Sequence, residues 1–139
     1  MLTETELLSI VESSDPELLA AEEKLGAIAG QILDGIYEPG MFTQLVKSGA
    51  FQASTVLVDQ KPAFVLIHTR NGLGWLIVEG VAALGNASLK TLHDALDALA
   101  RHYKAPTILF VTRLSSLFRY GSKHGYKSMG VIMAKATPV

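Results

Sequence analysis

A chain of 139 residues, 49% of them hydrophobic and 18% charged, carries enough apolar material to bury a core as one domain and too much to be intrinsically disordered. It contains no cysteine, so disulfides, thiolate nucleophiles and thiolate metal sites are excluded. Lys and Arg number 12 against 13 Asp and Glu, a net charge of −1, yet the signs are segregated. Ahead of Lys61 only Lys24 and Lys47 offset the acids, and after Ala100 there is no acid at all. A basic C-terminal part can receive a phosphorylated cofactor or nucleic acid, or it can complement the acidic part within or between subunits.

Taken in order, Thr3-Glu-Thr-Glu6 fits a capping box ahead of Leu7, Leu8, Ile10 and Val11 and predicts a short helix, with a first strand over 7–11 as the competing reading. Ser14-Asp-Pro-Glu17 is a stronger helix start, with proline in the first turn and Glu17 placed to cap back. Leu18, Leu25, Ile28 and Ile32 then recur at helical spacing as far as Gly35. Tyr37-Glu-Pro-Gly40 predicts a turn and 41–47 one or two further helical turns, so residues 1–50 read as mainly helical. From Phe51 the pattern changes to strands at 54–58 and 63–69, joined by a turn at 59–62. Asn71-Gly72 predicts a type I′ hairpin turn, since both residues tolerate positive φ, and a third strand at 74–84 completes an antiparallel meander.

The period then switches. Leu89, Leu92, Leu96, Leu99 and Tyr103 make one apolar stripe of a helix over 88–103, with Lys90–Asp94 and Asp97–Arg101 pairs outside it. Ala105-Pro106 ends that helix, and 107–112 is a short apolar strand expected at the centre of the sheet. Leu114, Leu117, Phe118 and Gly121 suggest a shorter helix, and 126–136 a last strand. The expected fold is α/β (α+β): a single domain over 1–139, with a meander followed by strand–helix–strand–helix–strand in one mixed sheet. Apolar runs are too short to span a membrane, and the opening Met1-Leu-Thr-Glu-Thr-Glu6 is acidic where a signal peptide is basic, so a cytoplasmic protein is expected.

This order of elements resembles the GNAT N-acetyltransferase fold from about residue 51 to 136. Two stretches carry the resemblance: the strand, small-residue turn and helix of 75–101, where Leu92-His-Asp-Ala-Leu96 resembles the family's Leu-Leu-x-Ala-Leu helix, and Lys123-His-Gly-Tyr126, similar to the Lys-x-Gly-Phe before the last hairpin. The resemblance implies acetyl-CoA in a gap between the strands at 78–83 and 108–112, with its pyrophosphate on the turn at 84–89. The family's turn reads Arg/Gln-x-x-Gly-x-Gly/Ala. Here Leu84 takes the arginine position and Ala87 and Leu89 replace the two later glycines, so the motif is degenerate. Cofactor contacts are expected from Val81, Ala82, Ala83, Gly85, Asn86, Ala87, Ser88 and Lys90, with Asn86 or Ser88 as helix cap. The family's catalytic tyrosine position falls on Gly121, which leaves Tyr120 one residue away as the candidate general acid.

Glu79 is the other catalytic candidate. A carboxylate within an apolar strand has its pKa raised if buried, toward the range of a general base. Strict alternation would set it on one face with Trp75, Ile77 and Val81. The histidines form no constellation: His93 and Asp97 share a helix face without an evident third ligand and are expected in solvent, while His68 lies in a strand. The reading that follows is an acyl-CoA-dependent N-acetyltransferase acting on a small-molecule or protein amine. The alternative is a non-catalytic GNAT-fold assembly protein, such as a phage or prophage virion component, with homo-oligomers or phage proteins as partners. Few aromatics accompany the basic residues, which counts against nucleic acid.

Overall fold

The computed structural model of the protein describes residues 8–32, 38–85, 88–110, 123, 125 and 126. The elements are β1 (Leu8–Glu12), α1 (Asp15–Ile32), α2 (Met41–Lys47), β2 (Gln52–Val58), β3 (Lys61–Arg70), β4 (Leu76–Ala83), α3 (Leu89–His102) and β5 (Ile108–Phe110). The five strands form one sheet in sequence order, antiparallel from β1 to β4, with β5 parallel to β4. The parallel step is the one that needs a crossover, and α3 provides it. The expected shorter helix over 114–121 and the last strand past Tyr126 lie outside the described residues.

The N-terminal reading needs one correction. Leu8–Glu12 joins the sheet as β1, the competing reading, instead of continuing a helix, because Ile10 and Leu8 pair with Val56 and Val58 and pack on the core beneath α3. The next start signal is confirmed atom by atom: Ser14 N–H donates to Glu17 Oε1 at 2.9 Å while Glu17 N–H donates to Ser14 Oγ at 3.3 Å, a reciprocal capping box. α1 buries Leu18, Ala21 and Leu25, but Ile28 is 51% exposed, so the apolar stripe leaves the sheet before the helix ends.

The type I′ turn expected at Asn71-Gly72 does not form there. The tight hairpin joins β2 to β3, where Asp59 and Gln60 take φ of 49° and 64°. Those are the paired positive values of a type I′ turn, adopted without a glycine. At the β3–β4 connection neither Asn71 nor Gly72 is in that region; the positive φ falls on Gly74 at 76°. There the Asn71 side chain accepts from Leu73 N–H and Trp75 N–H, both at 3.0 Å, so an Asx turn in a longer loop outcompetes the two-residue turn.

The sheet is covered on both faces. On one side α3 lays Leu92, Leu96 and Leu99 over Val56, Phe64, Leu66, Leu76 and Val78. On the other, Leu18, Ala21 and Leu25 of α1 cover Ala53, Val65, Ile67 and Ala82. β3 is buried on both faces over a longer run than β2, with Val65, Leu66 and Ile67 each at 0% exposure. α2 is tied to α1 by the buried Glu22, whose carboxylate accepts from Thr43 N–H at 2.8 Å. That bond caps the first turn of α2, whose own N-cap is a glycine with no side chain to offer.

Candidate active site

The apolar residues of β4 alternate at first, with Leu76 and Val78 both facing the α3 layer. The register against β3 then shifts: His68 stands opposite Val78 and Ile67 opposite Gly80, which leaves Glu79 as an extra residue, a β-bulge. The bulge reverses the alternation. Val81 packs on the α3 side, while Gly80 and Ala82 lie on the α1 side. Strict alternation, which placed Val81 with Trp75 and Ile77, fails here for that reason. A Cβ at Gly80 would come 3.0 Å from Leu25 Cδ1, so α1 sits directly over the bulge and a larger residue there would displace the Leu25 side chain. Glu79 itself is half-buried, and burial raises its carboxyl above the ordinary carboxylate range.

Beyond the bulge the side chains are small. Val81 is half-buried at the margin of the α3-side core, Ala82 is buried against the α1 side, and Ala83 is exposed. Leu84, in the position of the family's arginine, serves packing: its N–H donates to the Ala63 carbonyl at 2.9 Å and its side chain joins the α1-side core. Gly85 is exposed, and a Cβ on it would lie 3.3 Å from the Pro62 carbonyl oxygen. Asn86, Ala87 and Tyr120 lie outside the described residues.

α3 opens on Ser88, whose Oγ accepts from Thr91 N–H at 3.1 Å, so Ser88 is the cap and one first-turn donor is already bonded. Lys90 is exposed and its ammonium reaches Asp94 Oδ2 at 2.9 Å, one turn further along α3. The expected Asp97–Arg101 pair does not form. The described ladder between β4 and β5 covers Leu76–Val78 against Ile108–Phe110, and β4 runs on past it through Glu79 to Ala83.

Comparison with known proteins places this arrangement. No family model matches the chain, and no curated protein matches its sequence. Solved structures do match. A possible acetyltransferase from Clostridium difficile 630 superposes with a TM-score of 0.61 at 13% identity, over 96% of this chain and 99% of that one. A GNAT family acetyltransferase from Brucella melitensis, in complex with acetyl-CoA, matches at 0.56 and 14% identity over 94% of each chain. The chain has the GNAT fold. A transcriptional regulator from Bacillus halodurans C-125 also shares it, at TM-score 0.65 and 14% identity over 94% of this chain and all of that one, so the GNAT fold here does not by itself specify chemistry.

Three features of this GNAT fold escaped sequence reasoning. The bulge at Glu79 leaves no composition signal beyond the glycine that follows it. His93, expected in solvent, is 6% exposed and lies against the Tyr126 ring at 5.5 Å; burial, with Asp97 nearby, pushes the Tyr126 phenol up to about 12. His68 is fully buried in β3, with Nε2 2.9 Å from Ser54 Oγ. Burial, and then the Arg70 charge, hold it at about 4, so it is neutral at pH 7. This Ser–His pair is sealed from solvent, and among the described residues His68 Nδ1 has no hydrogen-bond partner, so it lacks both the access and the orienting carboxylate of a nucleophilic pair. Among the described residues no group of three or more His, Cys, Asp or Glu is placed to hold a metal ion, and no helix is long and apolar enough to cross a membrane.

Proposed function

We propose that this chain is an acyl-CoA-dependent N-acetyltransferase acting on an amine. The observation that carries the reading is the bulge at Glu79, which puts a desolvated carboxylate and a break in the backbone ladder at one point of β4. A bulge residue is left out of regular pairing, so its backbone polar groups are available to something other than the neighbouring strand. Acetyl-CoA, when bound, supplies an activated acetyl group whose thioester carbonyl needs a hydrogen-bond donor. The residues present fit it in part: Val81 and Ala83 give a low wall next to the bulge, and the capped start of α3 offers a partial positive charge to phosphates. Against this, Lys90 is engaged with Asp94 and Leu84 brings no cation to the turn.

The chain's own part in transfer is then small and definite. The bulge backbone would hold the thioester carbonyl oxygen by donating to it, and Glu79 would accept the proton that the amine gives up as its C–N bond replaces the C–S bond, with CoA leaving as a thiolate that takes a proton from solvent. A carboxyl raised by burial is a better base than an exposed one. The degenerate turn weakens affinity more than chemistry, because orientation of the thioester and the amine supplies most of the rate in such a transfer.

Thermal unfolding with and without acetyl-CoA tests the reading. A ligand present at a hundred times its Kd adds about 2.7 kcal/mol to stability. A rise in Tm with acetyl-CoA that CoA reproduces and free adenine does not is expected. No rise at any soluble concentration of the cofactor removes the enzyme reading and leaves the fold as a non-catalytic module.

A further inference from the structure

At the opposite end of β4 from the cofactor turn, where β3 ends against the C-terminus of α3, the structure builds a second cluster. Arg70 is exposed, and its guanidinium lies 4.5 Å over the centroid of the Tyr103 ring. Tyr103 is fixed from several directions. Its hydroxyl donates to Gln52 Oε1 at 3.1 Å, its backbone N–H caps α3 onto Leu99 O at 3.1 Å, and the His102 ring meets its own at 4.9 Å. The buried His68 lies against it at 5.9 Å. The guanidinium therefore rests on a platform that cannot swing away.

With its central carbon over the ring, the guanidinium is held by the tyrosine through its charge, which uses none of its five N–H donors as a conventional hydrogen bond would and leaves them for another partner. Among the described residues none is supplied: no carboxylate lies within ion-pair distance of Arg70. The local sequence explains why. Residues 61–76 and 98–110, which meet here, contain no acid, while Arg101 and Lys104 flank Tyr103. The strand acids are Glu79, at the bulge of β4 between the partners of Ile67 and His68, and Glu12, opposite Ser54 and two strands away from β3; neither pairs with Arg70. His68 adds no compensating charge, being neutral and enclosed.

From this geometry we infer that the Arg70–Tyr103 platform is an anion-binding subsite, taking a carboxylate or a phosphate monoester edge-on to the guanidinium. A planar fork matches the two oxygens of either group, and pre-positioning on the tyrosine removes the entropy that an unrestrained arginine would lose. Its place on the α3 face, away from the turn after β4, makes it independent of acyl transfer.

Side-chain and backbone ¹⁵N NMR of the full chain, titrated separately with inorganic phosphate and with acetate, tests the assignment. Expected are saturable shifts centred on the Arg70 Nε–H and on Tyr103, weakened at least several-fold in Arg70→Lys, which keeps the charge and loses the fork. Tyr103→Leu, which removes the platform but not the arginine, is expected to weaken them as well. Saturation by phosphate alone or by acetate alone assigns which anion the subsite takes. Shifts spread equally over Lys47, Lys61 and Lys104, unchanged by Arg70→Lys, or none at all in a protein whose spectrum shows it folded, overturn it.

Discussion

Two ionisable groups on adjacent strands are pushed in opposite senses by one cause. Burial disfavours charge, so it raises the Glu79 carboxyl and lowers the His68 imidazole to about 4. For Glu79 the outcome bears on activity. Glu79→Gln keeps the shape and removes the base, and is expected to lower kcat by roughly 10²–10⁴-fold with an amine acceptor. The wild-type rate is expected to rise with pH through the raised carboxyl pKa; steady-state kinetics in which Glu79→Gln leaves both rate and profile unchanged would exclude the role. For His68 the outcome bears on stability. Its folded pKa lies below the unfolded value of 6.5, so between those values the unfolded chain binds more protons and stability falls as pH drops. The loss amounts to about 3 kcal/mol at most, at about 1.36 kcal/mol per pKa unit. Urea titrations across that window are expected to show the slope in the wild type and a flatter one in His68→Gln. Residue identity made Glu79 conspicuous, since a lone carboxylate in an apolar strand stands out. His68 was inconspicuous because nothing local marks which strand will be buried on both faces.

At the scale of elements, the two long helices begin as their sequences dictate. Ser14 with Glu17, and Ser88 with Thr91, satisfy first-turn donors through side chains a few positions away, a short-range geometry that needs no tertiary information. Ser88→Ala is expected to cost ~1 kcal/mol, read as a lower urea midpoint at constant m. Ser88→Gly is expected to cost only a few tenths of that unit, since glycine also tolerates the cap position. Equal losses for both variants would mean that Ser88 acts through something other than capping. Elements whose ends depend on partners were harder to read. Leu8–Glu12 follows a helix-capping pattern, yet its apolar residues are worth more as a fifth strand against β2. Asn71-Gly72 did not form the expected type I′ turn, and Asp59-Gln60 took the paired positive φ values instead, because strand register, not dipeptide preference, fixed how many residues each loop had to span.

At the scale of the molecule, the sheet lies between two apolar layers, and successive residues of β3 belong to different ones. Leu66 faces α3 and Ile67 faces α1, both at 0% exposure. Leu66→Ala and Ile67→Ala are each expected to cost about 2–5 kcal/mol, the range for cavities left in well-packed cores. Because β3 is shared, both variants are expected to lower a single cooperative transition followed by circular dichroism and by Trp75 fluorescence. Separation of the two probes in either variant would show that the layers unfold independently. The acid-rich N-terminal part and the acid-free segments after Ala100 meet in this sheet without a dense set of ion pairs. Among the described residues Lys47 pairs with Asp15 and Lys90 with Asp94, the second of these within one helix.

The amino-acid sequence by itself determined the meander, the crossover helix, its cap and its buried stripe, and through them the GNAT fold. Those features rest on periodicity and on interactions a few residues apart, which a sequence displays directly. The bulge at Glu79, the glycine under Leu25, the sealed Ser54–His68 pair and the arginine over the Tyr103 ring were decided only by tertiary structure. Each depends on pairing residues from different elements. Residues 54 and 68, 25 and 80, 70 and 103 become neighbours through strand register and layer packing, which composition and period leave free.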